Sequence, residues 1–530
     1  MVNKLLALSF AILSFILIYL AMVSLHWRLA LDSPIFLYVA FLMDRYHYIP
    51  YRDIFDVNLP GTYFINLGIG NFFGYDDFAY RCADLVYLSA TLATTAAVMR
   101  KFGWKTAWSS AVSFGLLYLW YGPHLSMERD YLLILPLVLA LLVSTSIPRL
   151  NYLIKGAATG FLLGLAATIK PSAAMALPFF LVYLCLEKKH ADGPQGFQPR
   201  GLAWLLGAAG AGFAAPLLVL VFYLVRNGAW SYFVDMAVHY WPLYSQLTGP
   251  RQILSGSERI QYMIKEVLAL GGNPEWLLPA LLGSMSSLIY AGRSSPAKRA
   301  VVLLVALTFC FGLYPLTQGK FFFYHWIVFY YFAILLSSLC FTEGSRLVTI
   351  EPLFLLVLVI LLAGQRSSDS ASIGPRDTLK RFYNVVRSPN ATLSNISTFS
   401  LTPPKRGRVD EMAAYLKSHL QPGDRVQPLD WTGGAIQAML LARARLATPF
   451  LYDVEFYHHV SNPYIQDLRR RFIASLRLSK PKLIIEVLAA DKPFVQDRDS
   501  TRTFEELIQI LQSDYRVGLA EKDFRIYRRK

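Results

Sequence analysis

Long apolar runs alternate with short polar connections over the first two thirds of the chain, and then the pattern changes. The first run, Leu5 to Leu25, is long enough to cross the roughly 30 Å hydrocarbon core of a bilayer as a helix. It exceeds the apolar core of a secretory signal and no clean small-x-small cleavage site follows it, so it reads as an uncleaved anchor. Further apolar runs follow at about 85–99, 107–121, 131–147, 156–168, 173–186, 202–225, 276–290, 300–316, 326–341 and 350–364. The pattern predicts an α-helical polytopic membrane domain of about eleven spans over residues 1–364, with a first outer loop at about 26–80. Beyond a Ser-rich linker at 365–405, residues 406–530 carry helical patterns at 409–420, 433–445, 463–478 and 501–513. These alternate with the β-like runs RVQPLD, PKLIIEVLAA and FRIYRR. Such alternation predicts a small α/β domain.

Composition points the same way: 55% of the 530 residues are hydrophobic and only 16% charged, which is the balance of a membrane protein. The bilayer is therefore the first expected partner, and nucleic acid is not one. Orientation comes from Lys and Arg in the short connections. Lys4, Arg100 to Lys105, Pro148 to Lys155, Glu187 to Arg200, Gly292 to Arg299 and Arg346 fall on one side when the spans are taken in order, and that side reads as cytoplasmic. An odd number of spans then puts the tail outside. The tail is itself basic, with about nine more Lys and Arg than Asp and Glu, but long domains translocate largely regardless of charge. A basic outer domain also suits anionic headgroups. The four cysteines, Cys82, Cys185, Cys310 and Cys340, sit in or beside spans and suggest neither a disulfide framework nor a Cys-based metal site. Asn390 and Asn395 match the glycosylation sequon, but in so Ser/Thr-rich a linker they read as chance matches.

Chemistry is expected where polar residues approach the membrane on the outer face. The first outer loop carries Asp32 and then HYIPYRDIFDVNLPGTYF with Arg52, Asp53 and Asp56; Pro50 and Pro60 bracket that stretch and Gly61 allows a close turn. The second carries Glu128, Arg129 and Asp130 at the mouth of a span, and the third is the tight connection TIKPSA with Lys170. The fourth holds His239, and the fifth, TQGKFFFYHW, holds Lys320, Tyr324 and His325. Ionisable groups near a bilayer are costly unless paired, hydrated or in use. Five loops bringing them to one face suggest a shared polar cavity. Each also has a plain reading: Lys170 as an interfacial lysine that snorkels, the Glu-Arg-Asp triplet as a helix cap, His239 and the Tyr324–Trp326 stretch as an aromatic belt, and Asp32 before Ser-Pro as an N-cap.

The ordered set of Asp32, YIPYRDIFDVNLPGTYF, ERDYLLILP, GLAATIKPSA, QGKFFFYHWIVFYYFAILL and a soluble tail ending in FRIYRRK resembles the GT-C glycosyltransferases. The resemblance is to bacterial members of the protein O-mannosyltransferase-like group, which includes the lipid A aminoarabinose transferase and the rhizobial galacturonosyltransferases. It implies many helices supporting short outer-loop helices beside a lipid-lined site in a bacterial inner membrane, facing the periplasm. It also implies transfer of a sugar from a polyprenyl-phosphate donor to a hydroxyl of a glycan, lipid or protein acceptor, with inversion. In this family the acid soon after the first span is the general base, which here is Asp32, although Ser33 stands where many relatives have a second acid. Asp56 would hold sugar hydroxyls or a divalent cation, and Asp53 beside Arg52 would fix the loop. Glu128, Arg129, Asp130, Lys170, His239, Lys320, Tyr324 and His325 would bind substrate, with Arg129, Lys170, Lys320 and His325 the candidates for the lipid phosphate. Three carboxylates without a tight ligand motif leave the use of magnesium or manganese open. Two further readings stay open on chemistry, a transporter or flippase of lipid-linked sugars and an oligosaccharide ligase or polymerase. Against the transporter, the sequence shows no internal repeat with paired interrupted helices.

Overall fold

The computed structural model describes residues 2–147, 150–196, 199–249, 252–272, 276–290, 295–342, 408–431, 433–488 and 498–530. Ten of the expected spans fall on helices. The eleventh at 350–364, the linker at 365–405 and both sequons lie outside the described residues. Among the described residues, eight helices are long and apolar enough to cross a membrane: Leu6–Ser24, Asp77–Phe102, Arg129–Ser146, Tyr152–Ile169, Pro171–Asp192, Pro199–Arg226, Pro296–Gln318 and Phe323–Phe341. Trp104–Trp120 and Leu277–Tyr290 are helical but shorter. Rows of large apolar side chains, Leu8, Ile12, Phe15, Ile18 and Met22 on the first helix and Leu218, Val219, Phe222 and Val225 on another, face outward. Water would not tolerate such contiguous apolar faces, and a bilayer covers them. The chain is an integral membrane protein.

Contacts divide the chain into two units. The first holds the spans, with Phe323–Phe341 almost wholly buried among its neighbours. In it, helix Tyr152–Ile169 meets helix Pro199–Arg226 through glycine. A Cβ on Gly160 would lie 2.0 Å from the Ala209 carbonyl oxygen, and one on Gly212 would lie 2.1 Å from that of Ala157. Small residues at this spacing let helix backbones touch, which is the main source of helix association in lipid.

The second unit joins Trp27–Tyr80, Val221–Gln261 and the tail. Its sheet runs β2-β1-β3-β5-β4, with β1 Arg425–Leu429, β2 Arg445–Leu446, β3 Leu483–Val487, β4 Tyr515–Ala520 and β5 Phe524–Arg529. β1 pairs parallel with β2 and β3, while β5 pairs antiparallel with β3 and β4. The four tail helices are Val409–His419, Gly434–Leu441, Pro463–Ser479 and Glu505–Asp514. The sequence pattern omits β2, which is two residues long, and β4, an edge strand with mostly exposed residues and an irregular register at Gly518.

Within the same unit the first outer loop carries helices Ser33–Tyr46 and Pro60–Phe72, as the resemblance implies. Helix Ser33–Tyr46 is buried from Ser33 to Met43, because helix Pro60–Phe72 of the same loop and the tail helix Gly434–Leu441 both pack on it. Gly433 opens that tail helix at φ 85, where a Cβ would come within 3.1 Å of the Leu31 carbonyl oxygen. Only glycine combines that backbone with so close an approach.

Candidate functional site

Most of the polar residues expected at the site fall into two clusters, one in each unit, while Arg52, Asp53 and His239 stand apart. In the spanning unit, Glu128 precedes a short helix at Arg129–Leu132, and the turn before it is strained, with Met127 at φ 53. Asp84 holds that turn from a span: its carboxylate accepts from Tyr118 and Ser126, and the Met127 amide donates to the Tyr118 hydroxyl at 3.2 Å. Asp130 is fully buried. Its carboxylate accepts from the Lys170 ammonium at 2.7 and 2.9 Å and from the Tyr314 hydroxyl.

Lys170 is only 2% exposed, so it is a buried ion-pair partner rather than a snorkelling lysine. His325 is buried as well, with its ring 4.7 Å from Tyr324 and its Nδ1 without a hydrogen-bond partner. Lys170, Arg129 and Lys320 all lie within electrostatic reach of that ring. Tyr324 and Trp326 are buried too, which removes the aromatic-belt reading for this stretch. Three cations thus gather with the carboxylates of Glu128 and Asp130 around the His325 ring. A buried excess of cations is a place for an anion.

In the second unit Asp32 starts helix Ser33–Tyr46 without making a side-chain cap, directly after Leu31 at φ 50. Asp56 is 2% exposed; its Oδ1 accepts from the Asn58 amide at 3.2 Å and the Asn58 side chain at 2.7 Å. The buried oxygens Asn58 Oδ1, Thr62 Oγ1 and Asn66 Oδ1 lack hydrogen-bond partners. Buried polar atoms are normally satisfied, so this row of acceptors marks a wet or ligand-facing surface.

Tyr452, from the tail, lies beside both acids: burial first, then Asp56 and Asp32, push its phenol well above the ordinary value. Asp453 and Glu455 next to it are buried. Two neighbouring histidines continue the segment. The His459 Nε2 donates to Gln246 Oε1 at 3.2 Å, His458 and His459 share an Nδ1 to Nδ1 bond of 2.8 Å, and the Tyr240 hydroxyl donates to His458 Nε2 at 3.1 Å. This assignment of ring protons follows from satisfying every bond at once.

Asp53 is occupied by its own loop. It accepts from the Ile49 amide at 2.8 Å and from the Arg52 guanidinium at 2.8 and 3.1 Å, while Arg52 also donates to the Asn227 carbonyl. His239 is exposed on a π-helical turn, paired with Asp235 and stacked on Tyr464. Among the described residues no three His, Cys, Asp or Glu side chains are grouped to hold a metal ion.

No family model and no curated protein matches the chain in sequence. Solved structures do match in fold. ArnT from Cupriavidus metallidurans bound to undecaprenyl phosphate superposes with a TM-score of 0.56 at 12% identity, over 98% of this chain and 97% of that one. Its apo state gives 0.55 at 13% identity with the same coverage. The chain has the ArnT fold. The archaeal oligosaccharyltransferase AglB from Archaeoglobus fulgidus, in complex with an inhibitory peptide and a dolichol-phosphate, matches more loosely, with a TM-score of 0.42 at 11% identity over 90% of this chain and 69% of that one. The likeness to ArnT agrees with the many-helix membrane fold that the motif resemblance implies.

Several residues of these clusters escape a reading of the sequence. Tyr314 looks like an ordinary member of an apolar span, and Asp84 lies within a helix whose polar residues give no motif. LYDVEFYHH, from Leu451 to His459, does carry a signal: acids, aromatics and paired histidines are packed into nine residues.

Proposed function

We propose that the protein is a membrane glycosyltransferase of the GT-C kind that takes a sugar from a polyprenyl-phosphate carrier and passes it to an acceptor hydroxyl. The observation that carries this reading is the cluster of buried Lys170, Lys320 and His325 with half-buried Arg129, in a chain whose fold follows ArnT over nearly its full length. ArnT was solved with undecaprenyl phosphate, and an anion of that class suits a buried excess of cations.

In the proposed reaction Asp32 takes the proton of the acceptor hydroxyl, whose oxygen forms a bond to the anomeric carbon. The bond from that carbon to the phosphate oxygen breaks with inversion, and the polyprenyl phosphate leaves as an anion. Arg129, Lys170 and Lys320 stabilise the charge that develops on it, with His325, Glu128, Asp130 and Tyr324 around them. Asp56, aided by Asn58, orients sugar hydroxyls or a divalent cation. Arg52 and Asp53 fix their loop, and His239 contributes to substrate binding. The site faces the periplasm across a bacterial inner membrane, with a glycan, lipid or protein as acceptor.

The test is donor consumption by the full chain in nanodiscs, offered a panel of polyprenyl-phosphate sugars with and without a chelator. Native protein should release polyprenyl phosphate, and Asp32→Asn should do so about 10²–10⁴-fold more slowly, the usual worth of a general base. Consumption unaffected by the substitution removes Asp32 from the role. No consumption of any donor favours transport of the same lipids instead.

A further inference from the structure

The spanning unit carries a second basic feature, distinct from the cation cluster and independent of the transferase reading. Helices Tyr152–Ile169, Pro171–Asp192 and Pro199–Arg226 meet at one end, where the connections are rich in Lys and Arg. A cleft of about 640 Å³ opens there, lined by Asn151, Tyr152, Leu153, Lys188, Gly201 and Trp204. The ammonium of Lys155 lies 5.2 Å from the centre of the Tyr152 ring, and that of Lys188 lies 5.6 Å from the same ring.

The two lysines differ in what they contact. Lys188 pairs with Asp192 at 2.7 Å. Lys155 is 6% exposed, and among the described residues its ammonium has no ion pair or hydrogen bond. The nearby carboxylate of Glu187 is engaged by Arg299. The close glycine packing of its helix against Pro199–Arg226 is what buries it: a Cβ on Gly156, the next residue, would lie 2.8 Å from Leu205. Beyond the Tyr152 ring face Lys155 has only the longer-range attraction of Glu187, shared with Arg299, and so nearly buried a charge is costly. An anion in the adjacent cleft would remove that cost.

The rim decides which anion. Trp204 is 61% exposed and Leu153 is 43% exposed, both at the lip of the cleft. A free phosphate would leave these apolar surfaces without a partner, whereas acyl chains cover them. We propose that this cleft binds the headgroup of an anionic glycerophospholipid, with Lys155 and Lys188 at the phosphodiester and Trp204 and Leu153 against the chains. Basic pockets between helices on the side of positive connections commonly take such headgroups.

The test uses the full chain in nanodiscs of phosphatidylcholine with or without phosphatidylglycerol, reading lipid retained after extraction by native mass spectrometry and the thermal midpoint. Native protein should retain phosphatidylglycerol over phosphatidylcholine and gain stability from it. Lys155→Gln should lower that preference about five- to tenfold, in line with roughly 1 kcal/mol or more per basic contact. Trp204→Ala, at an exposed position that does not threaten folding, should lower retention while leaving every charge in place. Equal retention of the two lipids by native protein overturns the proposal, as does unchanged retention in Trp204→Ala. If inorganic phosphate reproduces the stabilisation, the cleft is a phosphate site and the lipid assignment falls.

Discussion

The Lys170–Asp130 pair shows how far a residue's neighbours decide its meaning. Both groups are buried, and breaking such a pair by removing one partner strands the other charge, at about 3–5 kcal/mol. Lys170→Met should therefore lower the thermal midpoint in nanodiscs substantially, and adding Asp130→Asn should restore part of the loss. Equal midpoints for Lys170→Met and native protein would show that the pair is not held as charges. The histidine relay gives a second outcome. His459 Nδ1 accepts from His458 Nδ1–H, so protonating His459 breaks the bond, and burial already holds His459 below its ordinary value near 6.5. The unfolded chain then binds more protons than the folded one as acid is added, so stability is complete above about pH 6.5 and falls as pH drops through and below that value. A thermal midpoint measured from about pH 7.5 to about pH 5.5 should decline, and the decline should be shallower in His459→Gln; parallel curves would remove His459 as its source. Lys170 and the His458–His459 pair were unequally visible in the sequence. A lysine interrupting an apolar run announces itself, whereas the histidines gain their meaning from Tyr240 and Gln246, more than two hundred residues away in the chain.

Spans are legible because lipid imposes one long apolar run per helix, and ten of them coincide with helices for that reason. Helix Ser33–Tyr46 was legible at its start, where Asp32 before Ser-Pro reads as an N-cap, but not in its extent, because its uniform apolarity has no helical period and protein buries it from Ser33 to Met43. Strand β4 was missed for the opposite reason. It lies at the sheet edge with Arg516, Val517 and Gly518 exposed, so it lacks the alternation of a half-buried strand. The glycines of GAATGFLLG give the sharpest prediction at this scale. A Cβ on Gly160 would meet the Ala209 carbonyl at 2.0 Å, and backbone cannot move aside as a flexible side chain can. Gly160→Leu should force helices Tyr152–Ile169 and Pro199–Arg226 apart and lower the thermal midpoint sharply, whereas Gly207→Leu, on the same second helix with open space at its Cβ, should leave it nearly unchanged. Similar midpoints for the two variants would mean that the helices do not depend on this contact.

At the scale of the whole chain, the tail is one of three segments of a single folded unit. One apolar core unites Tyr51 of the first outer loop, Met236, Tyr240 and Leu243 of the fourth, and Phe450, Phe456, Phe472 and Ile484 of the tail. Arg28 fastens the same unit from another side, donating to Asp410 at 2.6 and 2.9 Å and to Asp77 at 3.2 Å. A tail read as a soluble domain behind a linker suggests a unit that binds acceptor or lids the cavity, whose loss would weaken acceptor use more than donor binding. The packing argues otherwise, since removing the tail uncovers helix Ser33–Tyr46, takes Tyr452 from beside Asp32 and Asp56, and dissolves the core around Tyr51. A chain ending at residue 407 should therefore lose donor consumption and acceptor transfer together, and should show rapid proteolysis of 27–80 under conditions where the full chain resists. Arg28→Ala tests the same idea more gently. Two ion pairs are lost, the bidentate one with Asp410 and that with Asp77, and both activities should fall in proportion to the fraction of protein in which 27–80 becomes protease-sensitive. Donor consumption that survives in the truncated chain, with acceptor transfer alone impaired, would restore the separate soluble domain.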